Sequence, residues 1–119
     1  MSNLKESLDS LLELSGAKCA AVVDSASGLV LGQAGSSPNM DIAAAGNTEV
    51  VRAQLKLMET LGQTDAIDDI LITLTSQYDI VRPLGETPSI FLFLTMDKSK
   101  SNLALARYRV AECEQQLVL

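Results

Sequence analysis

The stretch Met40–Leu61, MDIAAAGNTEVVRAQLKLMETL, decides how the rest of this chain is read. Wound as an α-helix at about 100° per residue, it places Ala43, Gly46, Val50, Ala53, Leu57 and Leu61 in one sector. Ala44, Val51, Leu55 and Met58 fill the adjoining sector. Together they cover about 200° of the circumference, well beyond the stripe of about 100° on an ordinary amphipathic helix. Thr48, Glu49, Arg52, Lys56 and Glu59 share the remaining arc. One half of this apolar surface can cover the protein's own sheet. The other half needs a second protein surface, and another copy of the chain is the first choice. Asn47 and Gln54 fall inside the apolar arc, where an amide is costly unless bonded. At the middle of a two-fold contact they can bond across to their counterparts and fix register. The expected partner-facing residues on this helix are Ala44, Asn47, Val51, Gln54, Leu55 and Met58.

Working outward, the pattern reads helix, two strands, helix, three strands, helix. Leu4, Leu8, Leu11 and Leu12 recur at helical spacing, which predicts a helix over residues 3–14, with Asn3 and Glu6 placed as a capping box. Lys18 to Val23 and Leu29 to Ala34 read as a hairpin around the turn at residues 24–28. Residues 35–39 break the pattern, and Ser37 or Asn39 can cap the long helix, which stops at Gly62. Ile67 to Thr75, Tyr78 to Leu84 and Ser89 to Met96 read as strands. In the last helix Leu103, Ala106, Val110, Cys113 and Leu117 share a face. The first and fifth strands are apolar on both faces, so they belong inside a sheet covered on both sides. The second and third strands are more mixed and suit the edges.

With 119 residues and 47% apolar content, the chain supports one domain spanning residues 1–119, with an aliphatic core. A net charge of −6 argues against nucleic acid and anionic membranes as partners. The longest apolar run is too short to span a bilayer. The first residues carry no secretion signal, so the expected location is the cytoplasm. Cys19 and Cys113 lie in apolar patterns and read as buried free thiols.

Catalytic chemistry is missing from the composition. The chain has no histidine, which removes the usual general base, the common triads and most zinc sites. The glycines at 28, 32 and 35 sit in a hairpin rather than between a strand and a helix, so they are not a dinucleotide fingerprint. Asp65, Asp68 and Asp69 lack calcium-loop spacing and read as a solvated strand entry. That entry discourages uncontrolled edge pairing. No metal and no cofactor is expected. Arg52 and Lys56, spaced i, i+4 on the polar arc, form either a solvated face or a strip offered to a partner, and Arg107 and Arg109 divide the same way.

Several local words, taken in order, resemble the Roadblock/dynein-light-chain family. They are Cys19-Ala20-Ala21-Val22-Val23-Asp24 followed by Ser27-Gly28-Leu29, then Ile67-Asp68-Asp69-Ile70-Leu71-Ile72. Tyr78-Asp79-Ile80-Val81-Arg82-Pro83-Leu84 and Asp97-Lys98-Ser99-Lys100-Ser101-Asn102-Leu103-Ala104-Leu105-Ala106-Arg107 follow. The resemblance spans nearly the whole chain. It implies an α/β (α+β), profilin-like architecture: a five-stranded antiparallel sheet in the order 2-1-5-4-3, the long helix on one face and the terminal helices on the other. It also implies a homodimer, or a heterodimer with a paralogue. In that dimer the long helices pack antiparallel, and the third strands, here Ile70, Leu71, Ile72, Thr73 and Leu74, pair into one ten-stranded sheet. Members of the family are regulators and scaffolds rather than enzymes, and bacterial ones are similar to activators of small Ras-like GTPases. The expected function is therefore a non-catalytic dimeric adaptor for such a GTPase or a related signalling or motility partner. The alternative is a pure scaffold or a small-ligand sensor.

Overall fold

In chain order the elements are α1 (Leu4–Leu11), β1 (Ala17–Asp24), β2 (Leu29–Gly35), α2 (Met40–Thr60), β3 (Ile70–Thr73), β4 (Gln77–Pro83), β5 (Ile90–Asp97) and α3 (Leu103–Gln116). The structure is a computed structural model that describes residues 2–37 and 39–119; Met1, and Pro38 of the predicted break, lie outside the described residues. The strands form one antiparallel sheet in the order β2-β1-β5-β4-β3.

The apolar character of β1 and β5 on both faces follows from their central place. On one face Ala20, Val22, Leu92 and Leu94 pack with Leu8 and Leu11 of α1 and with Ala106, Val110 and Cys113 of α3. On the other, Ala21, Val23, Phe91 and Phe93 pack with Met40, Ala44 and Val51 of α2. The successive residues of each strand thus go to opposite layers, as the pleat requires. The chain is a three-layer sandwich with α2 alone on its side.

α2 ends where the sequence predicts. Gly62 adopts φ +68°, its N–H donates to the Glu59 carbonyl at 3.1 Å, and the Gln63 N–H donates to the Met58 carbonyl at 2.9 Å. This is a Schellman stop, and the left-handed position favours glycine. The other predicted caps differ. Asn3 and Asn39 precede α1 and α2 but give them no side-chain bond. The Asn3 side chain instead joins the chain ends, accepting from the Val118 N–H at 2.6 Å and donating to the Gln116 carbonyl at 2.7 Å. Asn102, which the sequence reading passed over, does cap α3, accepting from the Leu105 N–H at 3.1 Å.

β3 is shorter than the predicted 67–75. It holds only Ile70–Thr73, and Leu74 lies beyond it. Asp69 turns aside to meet Arg107 of α3 in a two-pronged ion pair, Nε to Oδ2 at 2.9 Å and Nη2 to Oδ1 at 3.0 Å. The entry to this edge strand is therefore fixed by α3.

Candidate protein-binding face

α2 covers one face of the sheet. It packs over β2 and β1, and its Gln54 and Met58 line one surface depression with the segment 65–70 that leads into β3. Met40, Ala44, Thr48, Val51 and Met58 are its buried residues. Ala44 and Val51 have no exposed surface at all, and Leu55 is half-buried against the same cluster. This corrects the expectation that Ala44, Val51, Leu55 and Met58 face a partner: the first three cover the protein's own sheet, and Met58 is buried within the chain as well. Thr48, expected on the polar arc, is buried with them. Its hydroxyl donates to the Ala44 carbonyl at 2.8 Å, so burial leaves it satisfied.

The adjoining sector is the one left in water. Leu57 is 50% exposed, Leu61 62% and Ile42 70%, with Gly46 and Ala53 exposed between them and Val50 half-buried. Asn47 (half-buried) and Gln54 (exposed) stand between this strip and the core sector, and neither side chain is hydrogen-bonded among the described residues. At about 100° per residue the arc from Ile42 round to Asn47 carries no charge. Arg52 and Lys56 stand exposed on the outer side, away from that arc. Arg52 leans over the β1–β2 turn, with Nη2 at 3.4 Å from the Ala26 carbonyl.

One corner of the sheet on the α2 side has no helix over it. A cleft of about 700 Å³ opens there. Its wall is the flank of α2 at Ala43, Gly46, Asn47 and Val50, and its floor includes Cys19, Thr95, Asp79 and Gln77. Register explains the floor: Cys19 pairs with Thr95, Thr95 with Asp79, and Asp79 with Ile72, so one row crosses β1, β5, β4 and β3. Asp79 Oδ1 accepts from Thr95 Oγ1 at 3.0 Å and from Gln77 Nε2 at 3.1 Å. No bond reaches its Oδ2 among the described residues. Burial pushes the Cys19 thiol pKa up, against the opposing hydrogen bond with Thr95.

The sequence reading did not single out this row. Its signals were present all the same. Thr95 is the one polar residue within Ile90–Met96, and Asp79 shares the inward phase of Val81. Which residues become neighbours depends on register between strands far apart in the chain.

β3 is an edge of the sheet. Ile70 and Ile72 are half-buried, Thr73 is exposed, Leu71 is 37% exposed and Leu74 45%. Beyond α2, three of the four arginines are held in ion pairs: Arg82 with Glu114 at 2.9 Å, Arg107 with Asp69, and Arg109 with Glu112 at 3.5 Å. Both cysteines are buried and free. Among the described residues no group of three His, Cys, Asp or Glu side chains could hold a metal ion. No helix among them is long and apolar enough to cross a membrane.

No family model and no curated protein matches the chain. Solved structures do. A Roadblock/LC7 domain from Streptomyces avermitilis superposes with a TM-score of 0.82 at 18% identity, over 96% of this chain and 93% of that one. MglB of Myxococcus xanthus gives 0.82 at 19% identity, over 94% and 89%. The gliding protein MglB from Thermus thermophilus gives 0.70 at 22%, over 93% and 87%. The sheet order and the distribution of helices are those the sequence resemblance implied, and at this level of identity the likeness speaks for the fold. The chain has the Roadblock/LC7 fold.

Proposed function

We propose that this chain is a non-catalytic adaptor of the cytoplasm that acts as a homodimer and binds a small Ras-like GTPase or a related signalling or motility partner. The observation that carries the reading is the uncharged arc of α2 beside an uncovered corner of its own sheet. A second copy related by a two-fold axis answers both needs at once. Its α2 lies antiparallel against the strip of Val50, Ala53, Leu57 and Leu61 and rolls into the corner. The two β3 strands, Ile70 to Thr73 with Leu74 beyond, then meet edge to edge in a ten-stranded sheet. Asn47 and Gln54 border this contact. A contact of ordinary specific size buries about 800 Å² on each copy.

The chemistry supports a binding role. The chain has no histidine to serve as a base. The cleft's carboxylate, Asp79, is already engaged by Thr95 and Gln77. An effect on GTP hydrolysis would come from positioning the GTPase's own groups rather than from an arginine finger. Arg52 and Lys56, outside the self-association strip, stay available to such a partner. The likeness to MglB structures, one of them described as a gliding protein, supports a motility or signalling setting.

The test is to mix the purified protein with each small Ras-like GTPase of its own genome, and to measure complex formation and GTP turnover. Binding to one of them with a changed turnover is the expected result. Binding with unchanged turnover marks a pure scaffold, and no binding to any of them overturns the GTPase assignment.

A further inference from the structure

The geometry points to Asp79 as the polar anchor of the self-association face, its Oδ2 accepting an amide N–H from Asn47 or Gln54 on α2 of a second copy. This rests on the homodimer reading above and names the residue that sets its register.

Asp79 lies in a row with Cys19 and Thr95 on the floor of the corner cleft, and its register partner on β3 is Ile72. Oδ1 is fixed by Thr95 and Gln77, which orients the whole group. Oδ2 has no protein donor among the described residues, so in a single chain water serves it. Any helix laid into the cleft removes that water. Lys18, Ser36 and Ser37 line the same cleft but give Oδ2 no bond among the described residues. A carboxylate oxygen buried without a donor is strongly disfavoured, so an occupant that brings its own amide donor is favoured.

The second copy's α2 is suited to this. Its partner-facing arc carries no charge, so it sets no carboxylate against Asp79. Gly46 and Ala53 on that arc keep the approach close. Asn47 and Gln54 border the arc as its amide donors, and neither is committed within its own chain among the described residues. The wall and the floor of the cleft are also parts of one surface: Asn47 and Val50 of α2 line the same space as Asp79. A two-fold contact makes each such bond twice. It also penalises a slipped register, because a shift of the helix withdraws the amide from the carboxylate.

The experiment measures dimer dissociation constants by sedimentation for the unmodified protein, Asp79→Ala, Asn47→Ala, Gln54→Ala and the two double variants. Each protein's unfolding is followed separately at a dilution where only monomer is present. Loss of a bond to a charged acceptor at both symmetric sites is expected to weaken the Asp79→Ala dimer about 100-fold. One of the two amide variants should weaken it comparably, and combining that variant with Asp79→Ala should add little more. Asn47 and Gln54 lie on the helix surface, so they test the same bond from the other side if Asp79→Ala folds poorly. A dimer unaffected by Asp79→Ala, or strictly additive losses with both amide variants, overturns the anchor and leaves the homodimer standing. An unmodified protein that is monomeric throughout overturns both.

Discussion

Replacing Leu57 by Asp separates the two faces of α2 most sharply. Leu57 is 50% exposed in the single chain, so a polar residue there costs the isolated fold little. In the proposed dimer its exposed half is covered. Full burial of a leucine side chain contributes about 1.5–3 kcal/mol, so the exposed half of Leu57 contributes about 1 kcal/mol per copy. Two-fold symmetry makes this about 2 kcal/mol, or about 30-fold in dissociation constant, for truncation to alanine alone. Aspartate goes further, because it also sets an unpaired charge inside the contact. Val51 is the control. It is fully buried against the chain's own sheet, so Val51→Ala should lower folding stability by about 2 kcal/mol, with no direct effect on association. The assay is sedimentation for mass, with urea unfolding on the same samples. Leu57→Asp should be folded and monomeric, whereas Val51→Ala should be dimeric and less stable. A Leu57→Asp variant with unchanged mass and affinity would refute the assignment of the exposed face.

Other parts of the molecule give independent checks. The Arg82–Glu114 pair joins β4 to α3 with both side chains largely buried, and Glu114 Oε2 also accepts from the Gly85 N–H at 3.3 Å. Glu114→Ala should therefore cost about 2–3 kcal/mol in urea unfolding, and a loss under half that would contradict its structural role. Removing the α3 cap with Asn102→Ala should lower stability by about 1 kcal/mol in the same assay. Burial pushes the Cys113 thiol from its ordinary 9.0 up to about 11. Between those values the unfolded chain has released a proton that the folded chain keeps, so stability should fall as pH rises through that window. A Cys113→Ser variant should show less of this fall, and an identical pH profile would argue against the buried thiol. Both thiols should also react slowly with a chromogenic disulfide reagent until the protein is unfolded; prompt reaction of the native protein would count against their burial.

The fold was legible because its strongest constraints are local. Strands apolar on both faces, β1 and β5, announce central positions. Gly62 announces the end of α2. The excess apolar surface on α2 was equally plain, yet which half of it faces the sheet was not. Both sectors are apolar, and the deciding residue, Thr48, looks polar in the sequence and is made burial-compatible only by its bond to the Ala44 carbonyl. Ala44, Val51 and Met58 were thus read for the wrong neighbour. The shortened β3 was illegible for another reason: Asp69 meets Arg107 across a sequence separation of 38 residues. The cleft floor needed the register of three strands before Cys19, Thr95 and Asp79 became one row.

The most direct measurement is the mass of the unmodified protein in solution, followed by sedimentation from high to sub-micromolar concentration. A particle of twice 12.7 kDa that dissociates only on dilution is the expected result. A single 12.7 kDa species at every concentration would contradict it, because the strip from Ile42 to Leu61 would then be stable in water without a partner.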